Sequence, residues 1–385
     1  MWLSNFDFHM DKRLLLLLFI LFKISDVYAY SLTPALQKLD QYIQKQINDN
    51  KAVGCAVAVL DHDQVVFLKA YGVQKKGAKG KVDLNTVFQL GSLSKPITST
   101  LVAVLQRQGL LSLDAPAQAF FTCLKSKTKI HHILTHTTGF KRVGWNNKIE
   151  SRVLREQLLK DLRNASQDEP GQSFDYHNFV YSLIEGIIEQ SQNQPFRDVV
   201  YQKLFEPLGM NRATVGFTDF NNQNNKAWPH QLNKNEAIYP SKSYSHLYHA
   251  AVPSAAGINA SITDIIPFLR LQLVGNTRLL NTSDLTQYHT PATEAKDALG
   301  WFKGTIKGDR KSYYGFGWRI IENNQCRIVF HGGWVKGFIS FLGFLPDRKI
   351  GIVVLHNVEN RFAGNTGMLF LNEWIRETHK NLSMN

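Results

Sequence analysis

Segments with the character of β-strands lie near both ends of this 385-residue chain, and a long helical stretch separates them. Near the amino end, "VGCAVAVL" and "VVFLKAYG" flank a tight polar turn at 61–64 and predict a hairpin. Near the carboxyl end, "YYGFGWRII", "CRIVFH", "GFISFLGFLP" and "IGIVVLHN" predict further strands, with "PDRK" as one turn. We therefore expect an α/β (α+β) fold in which both chain ends build one antiparallel sheet flanked by helices.

The middle of the chain predicts helices and loops. "VYSLIEGIIEQ" and "FRDVVYQKLFEPLGM" have helical periodicity, and the Asn-rich stretch 221–225 predicts a surface loop. "GNTGMLFLNEWIRE" predicts a closing helix. We expect a sheet domain made of residues 30–107 and 251–385, with residues 108–250 inserted as a mostly helical domain.

The first 29 residues have the pattern of an export signal. Lys12 and Arg13 precede an apolar run, 14–22, that is too short to span a bilayer, and "VYA" at 27–29 offers a small-residue cleavage site. We therefore expect a signal peptide that is cleaved and a protein that is periplasmic or secreted. A retained signal anchor is the alternative. No later segment is apolar enough to cross a membrane, so we expect no stable span after cleavage.

The net charge of +13 raises the question of a nucleic-acid partner. The basic residues are spread out, apart from "VQKKGAKGKV" and "LKSKTK", and no aromatic residues are interleaved with them. We therefore expect no nucleic acid; for an exported protein, adhesion to an anionic envelope and a merely solvated basic surface both fit. Three cysteines cannot form a disulfide framework, and no local signature supports a cysteine protease.

"FQLGSLSKPITSTLVAVLQRQGLL", residues 88–111, places Ser92 and Lys95 three residues apart before an apolar run of helical period. That spacing puts both side chains on one face of a helical turn, where free N–H groups favour negative charge. Pro96 is tolerated in a first turn, which puts the helix start near Ser92. A nucleophile with its activator fits this pattern. A capped helix with a surface lysine also fits, since a second copy, Ser126–Lys129, lies in a lysine-rich stretch.

Two later motifs are each common in structural roles when they occur alone, and they indicate a catalytic site only together with the Ser92 motif. Tyr176, His177 and Asn178 precede a buried helix, and a loop there can aim a phenol and an amide into a cleft. His331, Gly332 and Gly333 follow a strand, where paired glycines let another chain or a ligand approach the backbone closely.

Together, "FQLGSLSKP", "ILTHTTGF", "PGQSFDYHN", "FEPLGM", "YGFGWRI", "HGG" and "IGIVVLHN" make the chain resemble the class C β-lactamase superfamily of penicillin-recognising serine hydrolases over roughly residues 34–375. The resemblance implies the β-lactamase/penicillin-binding-protein fold. It also implies that Ser92 is the nucleophile and that Lys95 and Tyr176 share its proton. The oxyanion would lie between the N–H groups of Ser92 and Trp334, and Asn178 would hold a substrate amide.

The third motif departs from the Lys-Thr-Gly of class C β-lactamases, since His331-Gly332-Gly333 stands there. A largely neutral imidazole binds a substrate carboxylate less well than lysine does. The His-x-Gly form resembles the family's D-aminopeptidase and esterase branches. We therefore expect preference for substrates without that carboxylate, and partial reversal as falling pH protonates His331 near its ordinary pKa of about 6.5.

The leading prediction is an exported serine hydrolase that cleaves an amide or ester, such as a D-amino-acid peptide, a β-lactam or an ester, through an acyl-Ser92 intermediate. It needs no cofactor or metal, and its substrate is a small molecule or short peptide, of which peptidoglycan-derived peptides are one kind. The alternative is a penicillin- or peptidoglycan-binding sensor that is acylated without turnover. An α/β-hydrolase lacks its Gly-x-Ser-x-Gly elbow, and "HHILTH" (His131, His132, His136) lacks a metalloprotease pattern and predicts structural histidines.

Overall fold

A computed structural model describes residues 34–233, 236–238, 245–296, 310–323 and 326–383. Its largest sheet has eight strands. Every neighbouring pair of its strands is antiparallel. From one edge to the other the strands are β2 (Gln64–Gly72), β1 (Gly54–Asp61), β13 (Ile350–His356), β12 (Phe338–Leu345), β11 (Arg327–Val335), β10 (Arg319–Glu322), β9 (Lys311–Tyr314) and β8 (Thr293–Glu294). The amino-terminal strand β1 pairs with β13 from the carboxyl end, with Val57 opposite Val354. The predicted antiparallel sheet built from both chain ends is therefore confirmed.

Two three-stranded sheets accompany the eight-stranded sheet. One contains β3 (Phe88–Gln89), β7 (Ile258–Ala260) and β4 (Thr214–Val215), and the other contains β14 (Val358–Glu359), β5 (His230–Asn233) and β6 (Glu236–Ile238).

The helices are α1 (34–48), α2 (Ser94–Arg107), α3 (Ile130–Leu134), α4 (Trp145–Glu150), α5 (Arg155–Arg163), α6 (Asn178–Tyr181), α7 (Leu183–Gln192), α8 (Phe196–Val200), α9 (Glu206–Leu208), α10 (Phe217–Asn221), α11 (Ser245–Ala251), α12 (Pro253–Ala256), α13 (Ile262–Val274), α14 (Thr282–Tyr288) and α15 (Phe362–Ser383). A π-helical turn, Tyr201–Phe205, joins α8 to α9. Short 3₁₀ turns lie at Gly91–Leu93, Ala117–Ala119 and Pro346–Arg348, the last at the predicted "PDRK" turn.

Both faces of the large sheet are covered by helices, because its central strands are apolar on both sides. On one face, α1 and α15 bury Leu39 and Trp374 against residues such as Val57. On the other face, α2 and α13 bury Leu101 and Phe268 in a second, larger core. The sheet therefore lies between two helical layers, and α2 is fixed by this burial from Ser94 to Leu105.

One predicted strand is wrong in its extent. "YYGFGWRII" was expected to be continuous, but the chain ends β9 at Tyr314 and begins β10 at Arg319. The Gly315 N–H donates to the Trp318 carbonyl at 2.8 Å, and Gly317 has a φ of +76°. The glycines therefore close a turn where the apolar composition indicated a straight strand.

The middle region packs on the same core as the sheet, since Ile184 and Ile187 of α7 belong to one cluster with Leu101 of α2. The division at 107/108 and 250/251 stays a prediction, and the signal peptide at 1–29 lies outside the described residues. Within those residues, no helix combines the length and the apolar character that a bilayer crossing needs.

Candidate active site

Ser92 lies in the 3₁₀ turn Gly91–Leu93, and α2 begins two residues later than Ser92, at Ser94. The helix start is thus slightly later than predicted, because the entry turn is 3₁₀ rather than α-helical. The turn is fixed from outside, since Ser340 Oγ of β12 donates to the Leu90 carbonyl at 2.6 Å. Ser92 stays half-buried at the cleft while its neighbours are buried.

Lys95 is fully buried directly behind Ser92. Its Nζ lies 3.2 Å from Ser92 Oγ, 2.7 Å from Asn178 Oδ1 and 3.1 Å from the Ala255 carbonyl. The amine is therefore held by α6 and α12 as well as by its own helix, and it is not a surface lysine.

Burial, and after it the charge of Arg319, holds the pKa of Lys95 well below its ordinary value. A neutral amine has two N–H donors and one lone pair. Asn178 Oδ1 and the Ala255 carbonyl can only accept, so they take both N–H groups. In that neutral form the lone pair faces the Ser92 hydroxyl, which is the arrangement of a general base beside a nucleophile.

Tyr176 and Asn178 come from the segment that enters α6, with His177 as its N-cap. The Lys95 Nζ lies 4.6 Å from the centroid of the Tyr176 ring, so the phenol borders the Ser92–Lys95 pair. Asn178 is the first residue of α6; its Oδ1 accepts from Lys95, and its Nδ2 donates to Asn146 at 3.2 Å.

The backbone of Trp334 on β11 lies against the Ser92 turn. A Cβ added to Gly91, which has a φ of +55°, would lie 2.7 Å from the Trp334 nitrogen, and one added to Gly333 would overlap the Leu90 carbonyl. Only glycine permits this approach. It brings the N–H groups of Ser92 and Trp334 into one neighbourhood, as an oxyanion site requires.

The pKa of His331 differs from the ordinary value that the sequence analysis assumed. It is 1 % exposed; its Nδ1 lies 2.7 Å from the Gly332 carbonyl, and its Nε2 lies 3.1 Å from the Tyr314 hydroxyl. Since a carbonyl only accepts, Nδ1 carries the proton and Nε2 accepts from Tyr314. Burial, and then the charges of Arg319 and Lys95, hold the pKa of His331 well below its ordinary value, which favours the neutral imidazole.

The neutral state of His331 predicts how the preference between carboxylate-bearing and neutral substrates responds to pH. The ratio of kcat/KM for a carboxylate-bearing substrate to that for a neutral ester should change by less than about threefold between about pH 8 and pH 5.5, because His331 gains no proton there. Steady-state kinetics with one substrate of each kind measures the ratio. A rise of about tenfold on acidification would contradict the assignment.

A cleft of about 330 Å³ opens in front of these groups. It is lined by six predicted residues: Ser92, Tyr176, Asn178, His331, Gly332 and Trp334. Lys95 lies behind Ser92, and Gly333 packs on Leu90. Trp334 is 48 % exposed at the cleft.

Arg319, a buried cation at the cleft, was missed from the sequence. It begins β10, lines the cleft, and is only 6 % exposed, with its guanidinium carbon 5.0 Å from the centroid of the Tyr176 ring. Arginine stays charged at all relevant pH values. The available signal was an arginine in an otherwise apolar segment, "YYGFGWRII", beside the predicted His331 strand.

The remaining candidates lie elsewhere. Ser126 of the second Ser-x-x-Lys copy is exposed, and Lys129 pairs with Asp114 at 3.1 Å, as a solvated face predicts. His131 also lies near Asp114, at 3.5 Å. Across the part of the chain that the structure describes, no three His, Cys, Asp or Glu side chains are grouped to hold a metal ion.

Residues 39–370 match the family described as Beta-lactamase, which is most of the chain. The chain therefore belongs to the beta-lactamase family, and the resemblance inferred from its motifs is confirmed.

Among curated relatives, Protein flp of Staphylococcus aureus (strain MW2) is 24 % identical over 346 residues, and the match covers 85 % of this chain and 64 % of that protein. This chain thus spans less than two thirds of that relative's length. Penicillin-binding protein 4* of Bacillus subtilis (strain 168) is 23 % identical over 320 residues, covering 79 % of this chain and 68 % of that protein.

Two solved structures share the fold. The octameric penicillin-binding protein homologue from Pyrococcus abyssi has a TM-score of 0.74 at 22 % identity and covers 87 % of this chain and 76 % of its own. EstCE1, described as a hydrolase with promiscuous acyltransferase activity, has a TM-score of 0.73 at 20 % identity, and the match covers 90 % of this chain and 99 % of that chain. The penicillin-binding-protein-like fold predicted from the sequence is confirmed.

Proposed function

We propose that the chain is a serine hydrolase that cleaves an amide or ester through an acyl-Ser92 intermediate. The observation that carries the proposal is the buried Lys95 amine 3.2 Å from Ser92 Oγ, which also contacts two carbonyl oxygens and whose pKa burial holds well below its ordinary value. Membership of the beta-lactamase family supports the class of enzyme, and so does the fold shared with EstCE1, which is described as a hydrolase.

The steps follow from the groups in the cleft. Lys95 takes the proton from Ser92 Oγ as this oxygen bonds to the substrate carbonyl carbon, and it can pass that proton on to Tyr176 when the phenol has given up its own. The N–H groups of Ser92 and Trp334 stabilise the negative oxygen. The bond to the leaving group then breaks, and Tyr176 returns a proton to that group. Water, activated by the same pair, hydrolyses the acyl-serine and releases the acid.

We also propose that substrates carry a carboxylate near the scissile bond, which reverses the preference expected from His331 alone. Arg319 supports this, since it puts a permanent cation in the cleft although the third motif has no lysine. The cleft volume suits a small molecule or a short peptide, of which peptidoglycan-derived peptides are one kind.

Replacing Arg319 with glutamine tests the substrate class. A charge-assisted hydrogen bond contributes about 1.5–3 kcal/mol, so the ratio of kcat/KM for a carboxylate-bearing β-lactam or ester to that for a neutral ester should fall about 10- to 100-fold. The ratio is used because Arg319 also lowers the pKa of Lys95, which affects both substrates alike. An unchanged ratio would remove Arg319 from substrate recognition.

A time course with a penicillin or fluorophosphonate probe, and a panel of nitrocefin, D-amino-acid amides and short-chain esters, tests the reaction itself. Acylation followed by loss of a penicillin label is the expected result. A permanent penicillin label with no hydrolysis of any panel member would favour the sensor instead.

Export is part of the proposal and rests on the amino-terminal pattern alone. Expression of the full chain in a bacterial host, followed by amino-terminal sequencing of the purified protein, should give Tyr30 as the first residue. An intact amino terminus in a membrane fraction would favour the signal anchor.

A further inference from the structure

His136 contacts the chain on both sides of Tyr176. The N–H of Asp175 donates to the His136 carbonyl at 2.9 Å, and the N–H of His177 donates to His136 Nδ1 at 3.1 Å. One residue thus fixes both backbone neighbours of the phenol. Its ring also lies under that phenol, with 4.4 Å between the two ring centroids.

The conformation of His136 is unusual for a residue with a side chain. Its φ is +58°, in the left-handed region, and the residue is only 3 % exposed. Aromatic rings hold it there, with centroids 5.1 Å away for Tyr181 and 5.0 Å away for Tyr314. Such backbone conformations persist where surrounding contacts enforce them, and they cluster at functional sites.

The hydrogen bond from His177 requires a neutral His136, because an N–H donates only to an unprotonated Nδ1. The groups around the ring favour this state. Burial, and then the charges of Lys95 and Arg319 followed by the nearby His331 and His177, hold the pKa of His136 well below its ordinary value. His136 therefore acts as an acceptor and not as an acid.

We propose that His136 is a positioning residue of the reaction, which holds the Tyr176 phenol at the Ser92–Lys95 pair through the backbone of Asp175 and His177. The inference rests on the proposed function. It assigns His136 a role in the chemistry, whereas its sequence context indicated a structural histidine.

Two variants separate this role from simple packing. His136→Leu removes the acceptor and should lower kcat for an ester or β-lactam about 30-fold with KM within about threefold, since small misplacements of a reacting group have effects of this size. His136→Asn keeps an acceptor oxygen and tolerates the left-handed backbone, so it should recover at least about tenfold of that loss. A folded His136→Asn protein as slow as His136→Leu would overturn the proposal.

His289→Leu is the matched control. His289 is also buried; its Nε2 lies 3.0 Å from Gln272 Oε1, and its ring packs on Trp318 and Phe344, none of which lines the cleft. It should lose thermal stability comparably but keep kcat within about threefold, as sites outside the reaction do.

A double-variant cycle with Tyr176→Phe decides whether His136 acts through the phenol. If it does, adding His136→Leu to Tyr176→Phe should change kcat less than about threefold, because the positioned group is already gone. A further loss of about 30-fold would overturn the proposal. This failure differs from failure of the proposed function, in which the unmodified protein would show no acylation of Ser92 at all.

Discussion

Replacing Ser92 with alanine is expected to abolish turnover, lowering kcat by about a thousandfold or more for every ester or β-lactam that the enzyme cleaves. The reason is specific: Ser92 Oγ is the hydroxyl that Lys95 Nζ faces at 3.2 Å, beside the backbone of Trp334. Without it no acyl-enzyme forms, and only slow uncatalysed hydrolysis in the cleft remains. Initial rates at saturating substrate measure the loss.

The chain contains its own control for this experiment. Ser126 also stands three residues before a lysine, but it is exposed, and Lys129 pairs with Asp114. Ser126→Ala should keep full activity. If Ser92→Ala retained more than about a tenth of the wild-type kcat, the nucleophile would lie elsewhere.

Replacing Lys95 with methionine is expected to slow acylation about 100- to 10,000-fold, because the base that faces Ser92 is removed while the side-chain length is kept. Lys95→Arg should be equally slow. Arginine keeps the positive charge but stays protonated, so it has no lone pair to accept the Ser92 proton. Single-turnover acylation rates with an activated ester measure both variants.

Comparing Lys95→Arg with Lys95→Met decides whether Lys95 acts as a base or only as a positive charge. If the lysine served only as a charge, Lys95→Arg would keep most of the activity and Lys95→Met would lose it. In the wild-type enzyme the acylation rate should fall as pH drops through the lowered pKa of Lys95, since the ammonium form has no lone pair. Lys129→Met is the matched control, and melting temperatures check that each variant is folded.

Much of the fold was predictable because it depends on local patterns. Apolar strand runs at both ends of the chain require a shared sheet, and the β1–β2 hairpin followed from its short polar turn. The β9–β10 break was missed because strand composition continues across Gly315–Trp318, and only the backbone geometry reveals the turn.

Some residues of the candidate site were also predictable from local sequence patterns, and others were not. Ser92 and Lys95 were predictable because a three-residue spacing places them on one helical face. The Ala255 carbonyl was not, because a main-chain acceptor leaves no mark on the side-chain pattern. Arg319 and the electrostatics of His331 depend on which strands lie side by side, and that register appears only in the folded sheet.

Intact-protein mass spectrometry of the wild-type enzyme mixed with a slowly turned-over penicillin or activated ester tests the central claim most directly. We expect a mass increase of about one acyl group per chain, located by peptide mapping in the segment that contains Ser92, and decaying as product appears. The same experiment on Ser92→Ala should show no adduct. A stoichiometric adduct on another residue, or one that survives Ser92→Ala at full strength, would contradict the acyl-Ser92 mechanism.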